Sequence, residues 1–374
     1  MNSNIKIGFV HPALMDYRIE LFEMLNSEYD ITFLFTKQGR GQSNVKENHL
    51  NPPGWKYKTL KTDFIILNRD LGMYSKLINE LLFGRYDVLL VSNSWYICWP
   101  IAKLTHKKFI YWTEFWHWEN TSLVRRILNS LTFFISKNAD AVIATGTKAA
   151  KAQMDIGVEK GKVFTYPQCS VDYSITCRND LREELNIQNK KIILYVGRVV
   201  EQKGLPSLIK ALSLVNQCVD NAFLIVIGTG PLEKFCKNLC KEMGIENILF
   251  LGYVSENDKA SYYKTCDLFV LPSIFTGSQY EPWGLVINEA MAFGKPIITT
   301  DAVGAELDMV ENGINGYVVK NGDSFELSKA ILKIISDKEL EKKMSINSKR
   351  IFEEKNSSKK LFLEFKQCID FVCQ

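Results

Sequence analysis

Short runs that are apolar on both faces recur along the whole chain, and stretches of helical periodicity lie between them. A strand buried on both faces cannot border water, so its alternation with helices calls for a parallel sheet covered on both sides. In the first half the strand-like runs are Ile5–Val10, Ile31–Phe35, Val88–Val91, Phe109–Trp112 and Ala141–Ala144, with helical periods at Leu14–Leu25, Leu71–Leu82 and Leu123–Ile135. The scheme restarts at Ile192–Val196, followed by a helix to about Val215. It continues with a strand at Phe223–Ile227, a helix to Met243, and strands at Ile248–Leu251, Leu268–Leu271 and Pro296–Thr299. No sequence repeat links the halves, yet the architecture repeats. The predicted fold class is therefore α/β, with two doubly wound, Rossmann-like domains facing a cleft. A chain of 374 residues has the length for two to three domains. The join is placed in Tyr166–Lys190, which holds Pro167, Asn179 and Asn189 and no clear strand. Residues 1–170 then form an N-terminal domain and 171–374 a C-terminal one. The last helix, about 356–372, is expected to pack back on the first domain.

Several classes are excluded. Apolar residues at 46% and charged residues at 24% describe an ordinary globular chain and no disordered, collagenous or coiled-coil one. The longest apolar stretch, Val88–Ala102, is interrupted by Ser92, Asn93 and Ser94 and is too short for a membrane span. The start MNSNIKIGFV runs straight into a strand, so no secretory signal is expected and the predicted location is cytoplasmic. The nine cysteines form no C-x-x-C pair and read as small buried hydrophobes in a reducing compartment. Cys236 and Cys240 lie four apart on a predicted helix, but with only four histidines in the chain no metal site is expected. The net charge of +4 is unevenly spread. Residues 1–170 carry 21 Lys and Arg against 15 Asp and Glu, or +6, which leaves 25 against 27, or −2, for the rest. Six of the seven tryptophans also lie in the first half. A charge of +4 is too mild for a nucleic-acid binder.

Three constellations in the second half carry chemistry. In YVGRVVEQKG, Tyr195–Gly204, a buried strand ends at a Gly197 turn, and Arg198 and Lys203 precede a helix. Two cations beside a helix N-terminus suit a diphosphate, although a solvated turn explains the spacing equally well. In VIGTGP, Gly228 and Gly230 allow close backbone approach, to a ligand or simply within a tight turn. In EPWGLVINEAMAFGKPII, Glu281 precedes a helix beginning near Trp283 or Gly284, and Glu289 lies eight positions on. Gly284 and Leu285 would offer backbone N–H groups to an anion at that helix mouth. The spacing alone proves little, since Glu20 and Glu28 share it. The context differs: Glu281 follows the loop Thr276–Gln279 after a strand ending in LPS, and Gly294–Pro296 closes the helix.

Together, VGRVVEQKG, GTGP, DLFVLPS and EPWGLVINEAMAFGKPII resemble the landmarks of the glycosyltransferase family 4 retaining enzymes of GT-B architecture. The resemblance covers about residues 190–320 strongly and 1–170 more weakly. It implies a second half that binds a nucleotide-sugar, with Arg198 and Lys203 on the diphosphate. Gly228 and Gly230 would line the donor site. Glu281 would meet donor-sugar hydroxyls as a catalytic residue, Gly284 and Leu285 the phosphate, and Glu289 the ribose. Because two cations can neutralise the leaving group, no metal or other cofactor is expected.

The first half departs from the family pattern. Where many members carry a Gly-rich loop, this chain has HPALMDYRIELFEML, which places Tyr17 and Arg18 at the start of a helix as acceptor-binding candidates or plain helix-surface residues. In KKFIYWTEFWHW, Glu114 occupies the position where many relatives place a His or Asp near the reacting carbon, with His117 as the runner-up. A carboxylate there could take or orient the acceptor hydroxyl proton. The linker YPQCSVDY fits the family's usual stretch at Pro167 and Val171–Asp172 but not at Gln168 and Cys169. Trp95, Trp99, Trp112, Trp116 and Trp118, followed by Arg125, Arg126 and LNSLTFFI, suit sugar faces, reversible contact with anionic lipid, or core packing plus one surface helix. The resulting expectation is a retaining glycosyltransferase that moves a sugar from a UDP- or GDP-sugar to a glycan acceptor. A polyprenyl-linked acceptor in surface polysaccharide or lipopolysaccharide assembly would place it at the inner face of the cell membrane. The alternatives are a sugar-nucleotide 2-epimerase on the same fold and a nonenzymatic sugar-binding protein with a decayed site.

Overall fold

In the computed structural model the described residues are 5–36, 54–60, 64–66, 71–73, 75–92, 96–118, 122–175, 179–277 and 279–374. They divide into two compact units, one of residues 1–169 with 357–374 and one of residues 170–356.

The first unit contains β1 (Lys6–His11), α1 (Ile19–Glu28), β2 (Asp30–Phe35), β3 (Lys56–Thr59), β4 (Phe64–Ile66), β5 (Leu71–Met73) and α2 (Ser75–Phe83). It continues through β6 (Val88–Ser92), α3 (Cys98–Leu104), β7 (Lys108–Thr113), α4 (Leu123–Asn138), β8 (Ala141–Thr145), α5 (Gly146–Asp155) and β9 (Val163–Tyr166). Seven strands form one sheet in the order β3-β2-β1-β6-β7-β8-β9, with every pairing parallel. The expected helix at Leu71–Leu82 starts late. Leu71–Met73 pairs antiparallel with Phe64–Ile66 as a separate hairpin, and the helix begins at Ser75. Gly72 in that stretch disfavours helix, and the extended pairing satisfies the backbone instead.

The second unit contains β10 (Lys191–Val196), α6 (Leu205–Asn216), β11 (Ala222–Ile227), α7 (Glu233–Glu242), β12 (Ile248–Gly252), α8 (Glu256–Thr265) and β13 (Leu268–Leu271). It ends with α9 (Leu285–Ala292), β14 (Ile297–Thr300), α10 (Glu306–Met309), β15 (Gly316–Val319), α11 (Ser324–Ile335) and α12 (Lys338–Lys355). Its sheet is parallel, in the order β12-β11-β10-β13-β14-β15.

The double-faced apolar strands have a direct cause. Along β10, Ile193 and Tyr195 join a core with Leu208 of α6, Cys236 of α7 and Ile331 of α11. Ile192, Leu194 and Val196 join another with Ile287 of α9 and Ile351 of α12. Alternate side chains thus feed opposite helical layers. Cys236 and Cys240 are buried in the first of these cores as free thiols. The final helix, α13 (Ser358–Cys373), belongs to the first unit, where Leu361, Phe365, Cys368 and Ile369 pack with α1 and the strands. The chain leaves the second unit at Asn356, whose side-chain amide accepts from Ser170 N–H at 2.7 Å and donates to Ser170 O at 3.0 Å.

Both sheets reverse their strand order once, between β1 and β6 and between β10 and β13. Connections leave such a point in opposite directions, so the space outside the carboxyl ends of those two strands is left open for a ligand.

Candidate active site

In the second unit the loops leaving β10 and β13 interlock at that reversal. Gly204 sits at φ 68° with its Cα facing Pro272, and a Cβ there would come within 1.8 Å of Pro272 O. The loop after β11 presses on the same turn, since Cβ atoms on Gly228 and Gly230 would meet Gly197 O at 2.0 Å and Val199 O at 2.2 Å. The close approach expected of these two glycines is therefore to the neighbouring backbone. Hydrogen bonds from Gly197 N to Ile227 O at 3.0 Å and from Val199 N to Thr229 O at 2.9 Å bind the loops together. Gln202 Nε2 donates to Tyr280 O, and Ile274 N to Gln202 O at 2.9 Å, which ties this turn to the segment carrying Glu281.

This frame brings Lys203 and Glu281 together. Lys203 Nζ forms an ion pair with Glu281 Oε2, and both side chains are almost buried. The Glu281 backbone is pinned by Glu281 N to Ala302 O at 3.2 Å and Gly304 N to Glu281 O at 2.9 Å. Arg198 is exposed at the same turn, its carbonyl accepting the Tyr195 hydroxyl at 3.0 Å. Gly284, at φ 97° and ψ 59°, is the N-cap of α9 and supplies no side-chain cap. The N–H groups of Leu285 and Val286 thus begin the helix at a mouth suited to an anion. Among the described residues no three His, Cys, Asp or Glu gather as metal ligands.

Glu289 faces α8. Its Oε2 accepts from Tyr263 Oη at 2.7 Å and Lys259 Nζ at 2.8 Å, and Lys259 also reaches Glu256 at 2.6 Å. Burial pulls the Lys259 ammonium down, but Glu289 and Glu256 outweigh it and hold the cation above its ordinary value. Burial and the Glu289 charge push the Tyr263 phenol well up, so it stays a donor. Neither partner of Glu289 stands out in the sequence. Their i, i+4 spacing on one helix was the available signal.

In the first unit Arg18 is buried, which rules out the helix-surface alternative. One arm meets His11 Nε2 at 2.5 Å, the other donates to Glu114 Oε1 at 2.5 Å, and the guanidinium lies 4.1 Å from the Trp112 ring centroid. The aromatic face and two acceptors are what let a cation sit there. His11 Nδ1 donates to Ala13 O at 2.7 Å, leaving Nε2 to accept from Arg18. Burial first, and the Arg18 charge second, hold this imidazole well below its ordinary pKa, so it is neutral. His11 was missed in the sequence, although it is the polar residue that follows the apolar run Ile7–Val10. Tyr17 is half-buried beside Arg18, and burial raises its phenol. His117 is exposed next to Trp116. Of the clustered tryptophans, Trp112 is core, packed on Phe365 at 5.0 Å, and Trp118 stacks edge-on against Phe133 of α4. Trp95 and Ser278 of the Thr276–Gln279 loop lie outside the described residues.

Residues 178–351 match the family model described as Glycosyl transferases group 1. An uncharacterized glycosyltransferase of Methanocaldococcus jannaschii is 32% identical over 182 residues, 48% of this chain and 44% of that protein. A capsular polysaccharide biosynthesis glycosyltransferase of Staphylococcus aureus is 31% identical over 194 residues, 50% of this chain and 48% of that protein. The chain thus spans under half the length of these relatives. A solved Anabaena protein in complex with UDP has the same fold, with a TM-score of 0.76 and 19% identity over 98% of this chain and 100% of that one. The two parallel-sheet α/β units match the GT-B architecture.

Proposed function

We propose that this chain, whose residues 178–351 match the group 1 glycosyl transferases, transfers a hexosyl group from a UDP- or GDP-sugar to a glycan acceptor. The observation that carries the reading is the convergence of Lys203, Glu281 and the open end of α9 at the point where the second sheet reverses its strand order. That point is where a doubly wound sheet leaves room for a nucleotide.

A nucleoside diphosphate leaving group needs its growing negative charge neutralised as the sugar–oxygen bond breaks. The Lys203 ammonium has three donors, and Glu281 takes one, so the others can reach phosphate oxygens. Arg198 adds a second cation, and the α9 N-terminus adds its N–H groups and dipole. These groups neutralise the diphosphate without a metal ion, so full activity is expected in EDTA. Loss of activity rescued only by Mg²⁺ or Mn²⁺ would overturn that point. Glu281 orients donor-sugar hydroxyls, and Glu289, held by Lys259 and Tyr263, meets the ribose. Glu114, held by Arg18, takes or orients the proton of the acceptor hydroxyl as its oxygen bonds to the anomeric carbon and the bond to the nucleoside diphosphate breaks, with retention of the anomeric configuration.

The Staphylococcus aureus relative is named for capsular polysaccharide biosynthesis, and another Anabaena structure of this fold holds UDP-glucose. The first supports a surface glycan as the acceptor and the second a nucleotide-sugar as the donor; a polyprenyl lipid at the inner face of the membrane is the carrier proposed for the glycan. A calorimetric panel of UDP- and GDP-sugars is the first test. Binding of none of them, at protein concentrations that would register micromolar affinity, refutes the reading.

A further inference from the structure

Asn288 stands on α9, one position before Glu289, and is fully buried. Its neighbours Ile287, Ala290 and Met291 are buried hydrophobes, and an apolar side chain is the ordinary occupant of such a place. A carboxamide there keeps its position through its hydrogen bonds, which have a direction that apolar packing lacks. Asn288 Oδ1 accepts from the Trp283 indole N–H at 2.9 Å, and its Nδ2 donates to Asn356 Oδ1 at 3.1 Å. The same Asn356 oxygen accepts from Ser170 N at 2.7 Å and from Ser170 Oγ at 3.4 Å. Asn356 Nδ2 donates in return to Ser170 O at 3.0 Å. These bonds form one line through Trp283, Asn288, Asn356 and Ser170.

The two ends of that line do different things. Trp283 lies between Glu281 and Gly284, in the turn that leads into the open end of α9. Its ring is buried, and its carbonyl accepts from Ala305 N at 3.0 Å. Ser170 and Asn356 are the first and last residues of the second unit. The backbone passes between the units at 169–170 and at 356–357, so the Asn356 side chain clamps one crossing to the other. Asn356 also ends α12, with its N–H on Phe352 O at 2.7 Å, and Ser357 caps α13 by accepting from Lys360 N at 3.3 Å. We propose that Asn288 is a positioning residue that couples the donor end of α9 to these two crossings. A diphosphate bonded to the Leu285 and Val286 N–H groups fixes the turn that carries Trp283. Trp283 then holds Asn288, and Asn288 holds the clamp. The coupling is reciprocal: opening the clamp frees Asn288 and loosens the helix mouth. This rests on the donor placement proposed above and adds the route by which donor occupancy reaches the crossings.

Hydrogen exchange of the full chain, with and without saturating UDP or GDP, tests it. In the wild type the bound nucleotide should slow exchange in peptides covering Ser170 and residues 352–357 by roughly tenfold or more. In Asn288→Leu the nucleotide should still bind by calorimetry and still protect the first turn of α9, while the slowing at Ser170 disappears. A residue with only a structural role would speed exchange equally with and without nucleotide and leave their ratio unchanged. Should Asn288→Leu fold poorly, Trp283→Phe removes the indole donor at the other end of the line and should abolish the same effect. Nucleotide binding with no slowing at Ser170 in the wild type overturns the proposal. So does a wild-type ratio that survives either substitution in a folded variant. Failure of both UDP and GDP to bind would overturn the donor reading and this coupling with it, so the two failures are told apart by calorimetry.

Discussion

Replacing Lys203 by Met separates what the Lys203–Glu281 pair does for the fold from what it does for a ligand. Both side chains are nearly buried, at 13% and 11% exposure. Removing the ammonium leaves the Glu281 carboxylate buried without its cation, and breaking a buried pair in this way costs about 3–5 kcal/mol. Each kcal/mol lowers the melting temperature of a domain of 150–250 residues by about 2–4 °C, and the second unit, residues 170–356, falls in that range. Its calorimetric transition should therefore fall by about 6–20 °C. Adding Glu281→Gln removes the charge that has lost its cation, so the double variant should recover most of the loss. Nucleotide affinity should behave differently. The diphosphate loses one charge-assisted bond of about 1.5–3 kcal/mol in the single and the double variant alike, which weakens UDP or GDP binding by about 10–150-fold. Calorimetric titration of the stable double variant is the deciding measurement. Unchanged affinity there would show that Lys203 holds Glu281 and nothing else, and would remove it from the donor site. An unchanged transition in Lys203→Met would refute the burial argument itself.

Three further outcomes are expected. Because the folded His11 resists protonation while the unfolded chain takes a proton at about pH 6.5, the stability it contributes is present above that pH and lost as pH falls, at about 1.4 kcal/mol per unit. Denaturant titrations between pH 7.5 and 5.5 should show a shallower pH slope in His11→Gln, and an unchanged slope would count against a neutral buried imidazole. Gly204→Ala should abolish folding of the second unit, since the new Cβ meets Pro272 O, whereas Gly244→Ala, with open space around it, should cost only about 1–2 kcal/mol for its positive φ; equal losses would refute the close-approach argument. Lys259→Met should cost about 3–5 kcal/mol by leaving Glu289 with the Tyr263 hydroxyl but no cation and also weaken nucleotide binding; a loss of stability with intact affinity would take Glu289 out of the donor site.

Much of the layout of the second unit was legible because several of its strands are apolar on both faces and end in a residue that punctuates the chain, whereas the edge strand β15, Gly316–Val319, was not expected. Ile192–Val196 stops at Gly197, Leu268–Leu271 at Pro272, and α9 is capped by Gly284. The meaning of those glycines was not legible. Gly228 and Gly230 fitted close approach to a ligand and a tight turn equally well, and the nearest atoms are the carbonyls of Gly197 and Val199, one strand away in space and about thirty residues away in sequence. Periodicity reports which face of an element is buried, and it carries no record of which loop lies against which. The same limit hid the first unit's cluster. Arg18 stood open between an acceptor-binding residue and a solvated helix residue, because a charged side chain at a helix start fits either. Its burial follows from three partners at positions 11, 112 and 114, brought together only when β1 and β7 take their places on either side of β6. A buried guanidinium of this kind is stable only while all its acceptors are present. Arg18 and Glu114 are therefore one unit of chemistry, and any role for Glu114 in taking an acceptor hydroxyl is played by a carboxylate whose position Arg18 sets.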